Sequence, residues 1–117
     1  MRSLLFVFEK VRRVTMENII QVRGTKMIIK IPREVDHCFT DELREIADRK
    51  LQTENIRILE FDFRDTEFMD SSGIGLLMGR YKLMRALGGV VLITNAGERI
   101  QKILVLSGIH KIISMEE

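Results

Sequence analysis

The spacing of apolar positions changes several times along the chain, and the order of those changes describes an alternating fold. Ile19, Ile20 and Val22, then Met27 to Ile31 after a Gly24-Thr25 turn signal, predict two short strands joined as a hairpin, with Pro32 ending the second. Phe39, Leu43, Ile46, Ala47 and Leu51 recur at helical spacing and predict a helix from about Thr40 to Gln52, with Asp41 and Glu42 in a first turn whose dipole favours negative charge. The β-branched and aromatic run from Ile56 to Phe63 alternates partially, as a central strand does. A second helix follows, in which Ile74, Leu77, Met78, Tyr81 and Met84 form one stripe and Leu76, Leu83 and Leu87 another. Apolar character therefore covers much of its circumference, which assigns part of that surface to a partner.

Gly88-Gly89 stops this helix, and Val90-Val91-Leu92-Ile93 is the pure apolar run of a buried parallel strand. Asn95 with Glu98 predicts a capping box, Ile100, Ile103 and Leu104 a core face, and Gly108 the helix end. A last strand is predicted from Ile109 to Ser114. The order ββαβαβαβ implies a single α/β domain built on a mixed, mostly parallel β-sheet with helices packed on it.

A length of 117 residues suits one core, and 45% hydrophobic with 31% charged residues is an ordinary globular balance. Cys38 is the sole cysteine and forms no internal disulfide, which favours a reducing, cytoplasmic setting. Asp36-His37-Cys38 are consecutive and cannot all aim at one ion from regular structure, so neither a metal nor a cofactor is expected. The net charge of +2 is uneven: residues 1–15 carry Arg2, Lys10, Arg12 and Arg13 against Glu9, and the remainder sums to −1. Direct nucleic-acid binding would rest on that segment alone and is excluded. Leu4 to Phe8 is too short an apolar run for a signal-peptide core or a membrane span. Residues 1–15 are read as an N-terminal extension, either an edge strand, a partner-binding arm or a product of start-site choice, because Met16 begins a self-sufficient pattern running to residue 117.

Met69-Asp70-Ser71-Ser72-Gly73-Ile74-Gly75 lies where a strand hands over to a helix. Asp70 is the expected N-cap, with Met69 and Ile74 placed as a hydrophobic staple. The unpaired N–H groups of a helix start also accommodate an anion. Capping chemistry and a phosphorylatable serine are both compatible with the local sequence, and the local sequence favours the cap.

The segment from Phe68 to Gly75, continuing through Gly79-Arg80-Tyr81-Lys82, closely resembles the phosphorylation segment of bacterial anti-sigma factor antagonists, members of the STAS domain family. Arg33-Glu34-Val35-Asp36-His37 looks like that family's acidic loop before the first helix. The resemblance implies a protein that, unphosphorylated, binds an anti-sigma factor that is also an ATP-binding serine kinase, and so frees a sigma factor. It implies phosphorylation at Ser71, with Ser72 the less favoured acceptor, and reversal by a PP2C-type phosphatase. Asp36, Asp70, Ser71, Ser72, Gly73 and Ile74 are the implied partner-binding residues.

Plainer readings stand beside these: Asp36 is equally a helix-start or Asx-turn residue, Gly73 and Gly75 either admit a partner backbone or pack the helix on the sheet, and Arg80 and Lys82 are contact residues or, the favoured reading, a solvated face. The alternative function is a STAS scaffold in a stress-signalling assembly with a different partner. A serine-nucleophile enzyme lacks the Gly-x-Ser-x-Gly elbow, so no enzyme activity is expected. A receiver domain using Asp62, Asp65 and Asp70 disagrees with the element count. The chain ends at Glu117, where many relatives add a helix, and the apolar surface so exposed is expected to be covered by homodimerisation or by the N-terminal arm.

Overall fold

Ile20–Arg23 (β1) and Lys26–Lys30 (β2) pair antiparallel, with Arg23 opposite Lys26 and Gly24 at φ 61 in the turn. The computed structural model, which describes residues 2–117, continues this hairpin into a five-stranded sheet of order β1-β2-β4-β6-β7, where β4 is Ile58–Asp62, β6 Val90–Thr94 and β7 Ser114–Glu116. Every pairing after the hairpin is parallel. Register stacks Met27, Leu59 and Val91 in one row and Ile29, Phe61 and Ile93 in the next, all buried on one face. That alternation is what a sheet needs to bury a face against helices.

The helices covering the core are α2 (His37–Thr53), α3 (Ser71–Ala86) and α4 (Glu98–Ser107). They contribute Leu43, Ala47 and Leu51, then Leu76, Leu77 and Met84, then Ile100 and Leu104. Gly88 at φ 82 follows α3, and a Cβ on Gly89 would stand 2.8 Å from the Arg57 carbonyl oxygen, so both positions require glycine.

Several elements differ from the pattern read along the chain. Helix α2 begins at His37 rather than Thr40 because Asp36 caps it, which moves Asp41 and Glu42 out of the first turn. Helix α4 is capped by Gly97; Asn95 instead adopts φ 56 and donates from Nδ2 to Asp62 Oδ1 at 3.1 Å, so no capping box forms. The predicted last strand is a 3-10 turn, Ile109–Lys111, with β7 starting only at Ser114. The N-terminal segment is helical, α1 spanning Arg2–Asn18, and not an edge strand. Two short strands escaped the pattern altogether. Glu34–Val35 (β3) and Phe68–Met69 (β5) form a separate two-stranded parallel sheet.

Among the described residues, no helix is long and apolar enough to cross a membrane.

Candidate functional site

The small β3–β5 sheet brings the two sequence motifs together. Its register pairs Glu34 with Phe68 and Val35 with Met69, so the next residues, Asp36 and Asp70, leave the sheet side by side and each opens a helix. The Asp70 N–H donates to the Val35 carbonyl at 3.2 Å, and the Glu67 and Phe68 N–H groups donate to the Arg33 carbonyl at 2.9 Å. Val35 and Met69 point into the core while Glu34, Asp36, Phe68 and Asp70 face outward. The period of two along each strand dictates this split.

Both aspartates are N-caps. Asp36 Oδ1 accepts the Phe39 N–H at 2.9 Å, and Asp70 Oδ1 accepts the Ser72 N–H at 2.9 Å. The Ser72 hydroxyl donates to the same Asp70 oxygen. These two bonds, with a smaller contribution from nearby His37, hold the Asp70 carboxyl below the usual carboxylate range. Capping is therefore what Asp36 and Asp70 do within the fold.

The two serines are consequently unequal. Ser72 has its hydroxyl committed to Asp70 and is half-buried, whereas Ser71 is exposed and its hydroxyl makes no hydrogen bond among the described residues. Ser71 stands at the first position of α3, where backbone N–H groups and the positive helix end are oriented toward an added anion.

Helix α3 buries Gly73, Leu76, Leu77, Arg80 and Met84, a stripe displaced from the one expected, with Ile74, Met78 and Tyr81 half-buried beside the core. A Cβ on Gly73 would collide with Cγ and Sδ of Met69, so this glycine is needed for packing under the small sheet. Gly75 meets nothing within 4 Å and is exposed, which leaves the helix backbone open to close approach.

Arg80 is neither a contact residue nor part of a solvated face. It is 6% exposed, and its Nε lies 2.9 Å from Oδ1 of Asp48 on α2, in a poorly aligned ion pair that leaves Nη1 without a hydrogen bond. Burial pushes the Asp48 carboxyl up, against the pull of Arg80. This pair ties α2 to α3 in the second half of each helix, more than two turns beyond their starts. The spacing of Arg80 from Leu76, Leu77 and Met84 was the available signal, since a cation on a buried stripe calls for an acid partner.

Asp62, one of the aspartates of the receiver-like reading, accepts from the Arg64 N–H and from Asn95. Among the described residues no group of three metal-ligating side chains is assembled.

Residues 15–117 match the STAS domain family. The chain is 31% identical over 87 residues to the anti-sigma F factor antagonist of Paenibacillus polymyxa, covering 74% of each chain. It is 30% identical over 88 residues to the anti-sigma-B factor antagonist of Bacillus subtilis, covering 74% of this chain and 78% of that one. In three dimensions it resembles the anti-sigma factor antagonist SpoIIAA in its unphosphorylated form, with TM-score 0.76 and 24% identity over 82% of this chain and 84% of that one. SpoIIAA in its phosphorylated form superimposes with TM-score 0.69 at the same identity, over 82% of this chain and 87% of that one. The α/β fold is thus shared with these proteins, and with residues 15–117 matched by the family model the chain belongs to the STAS domain family.

Proposed function

We propose that this protein is an anti-sigma factor antagonist of the cytoplasm that works by partner switching. In its unphosphorylated form it binds an ATP-binding anti-sigma factor that is also a serine kinase, through the surface around Asp36, Asp70, Ser71, Ser72, Gly73 and Ile74. That binding releases a sigma factor. The kinase phosphorylates Ser71, which ends the interaction, and a PP2C-type phosphatase restores it. The observation carrying this reading is the exposed, unengaged Ser71 hydroxyl at the start of α3, beside a Ser72 hydroxyl already held by Asp70. The antagonist names of the two relatives and the two phosphorylation forms in which SpoIIAA is known support the same reading.

The switch has a physical basis. A phosphate on Ser71 adds nearly two negative charges beside Asp70, and an interface built around a small hydroxyl meets bulk, like charge and desolvation cost together. The α3 N-terminus offsets part of that charge within this chain, so binding is lost while the fold is retained.

Pull-down from native cell extract with and without ATP, followed by mass spectrometry, tests the proposal. The expected result is capture of a histidine-kinase-like ATPase and an ATP-dependent phosphate on Ser71. Capture of other proteins only, with Ser71 unmodified, would return the chain to the scaffold reading.

A further inference from the structure

The small sheet that leads into Ser71 also carries a cluster of side chains that the switch does not use. Phe68 is 45% exposed, and two guanidinium groups lie within cation–π range of its ring, Arg33 at 5.6 Å and Arg99 at 5.2 Å from the centroid. Arg33 precedes β3 and Arg99 lies in the first turn of α4, so only the folded chain assembles them. Arg33 is paired with Glu67 at 2.5 Å, whereas Arg99, exposed, makes no ion pair among the described residues. One cation held over the ring is thus left uncompensated.

Phe68 shares the outward face of β5 with Asp70, and Ser71 is three residues farther along the chain. That separation spans at most about 11 Å. A standard interface covers about 800 Å² per partner, equivalent to a disc roughly 16 Å in radius, so one centred on Ser71 takes in the ring. Aromatic and arginine side chains are the types that anchor such surfaces. Guanidiniums already stacked on a ring lose less rotamer freedom on binding than free ones.

We propose that Phe68, Arg33 and Arg99 form an anchor that seats one or more carboxylates of the protein bound at Ser71. The anchor rests on the partner-switching reading and names the chemistry its partner presents there. The surrounding face carries Glu34, Asp36 and Asp70, so the carboxylates are assigned to the neighbourhood of Phe68 and not to the partner surface as a whole.

The test titrates the full chain and its Phe68→Ala, Arg99→Glu, Arg99→Lys and Ser71→Asp variants against the purified ATP-binding protein recovered by the pull-down, at low and at physiological salt. Phe68→Ala and Arg99→Glu are each expected to weaken binding by about tenfold or more. Arg99→Lys should fall between them and wild type, and Arg99→Glu should flatten the salt dependence. Arg99 is exposed, so its variants report on binding even where Phe68→Ala disturbs the small sheet. Binding of Phe68→Ala and Arg99→Glu within about twofold of wild type, with Ser71→Asp still weakened, overturns the anchor and leaves the switch standing. Failure to recover any ATP-binding protein overturns both.

Discussion

At the scale of single residues, Asp70 and Ser71 divide the work between stability and signalling. Removing the cap in Asp70→Ala should destabilise the start of α3, read as a fall in Tm of about 4 °C for a domain of this size. Because the Asp70 carboxyl is held below its ordinary range, the charged cap contributes above that range and its contribution is lost as pH falls through the depressed value. Asp70→Asn should therefore flatten the acid limb of a stability–pH profile below about pH 4, measured by thermal melts. Ser71→Ala is expected to keep partner binding and to abolish ATP-dependent inactivation, whereas Ser71→Asp should weaken binding with little change in Tm; a gel-filtration assay with the captured kinase separates the two. The cap was legible because its chemistry is local. The inequality of the serines was not, since it depends on which hydroxyl turns toward Asp70.

At the scale of elements, α3 is held from below by Arg80 and left open above at Gly75. Asp48→Ala strands a buried guanidinium, and because Asp48 itself is 29% exposed the loss should lie between that of an exposed and a fully buried pair, about 2 kcal/mol. The double variant Asp48→Leu with Arg80→Met should lose less than Asp48→Ala alone, since no buried charge is then left unpaired; denaturant titration resolves the difference. Gly73→Ala must displace the buried Met69 side chain and should cost about 1–3 kcal/mol. Gly75→Ala has room and should stabilise α3 by about 1 kcal/mol, while weakening the partner's approach if the proposed surface is used. Helical periodicity located α3 and its ends, but it could not say which stripe faces inward, because apolar residues occur nearly all round. Helix α2 starts three residues before its periodic stripe implies, because the Asp36 cap acts ahead of the first buried position and in one dimension an aspartate there fits a contact as well as a cap.

For the whole molecule, the β3–β5 sheet is the feature with most consequence, as it sets Asp36 beside Asp70 and presents the Phe68 ring to Arg33 and to Arg99 of α4. On the far side of the sequence, α1 presents Leu4, Val7, Val11 and Val14 to solvent at a three-four spacing, the pattern of a helix-pairing seam. Concentration-dependent self-association by light scattering is the expected outcome for the full chain, with Val7→Glu and Val11→Glu together shifting it toward monomer. A monomer at every concentration would remove homodimerisation from the picture. The strong apolar runs of β2, β4 and β6, the punctuating glycines and the Asp-Ser-Ser-Gly start were readable from one dimension, since burial and capping act over a few neighbouring residues. The two-residue strands, the buried Arg80–Asp48 pair and the cations around Phe68 were decided only by tertiary structure, because each depends on residues some thirty or more positions apart meeting with the right register and charge.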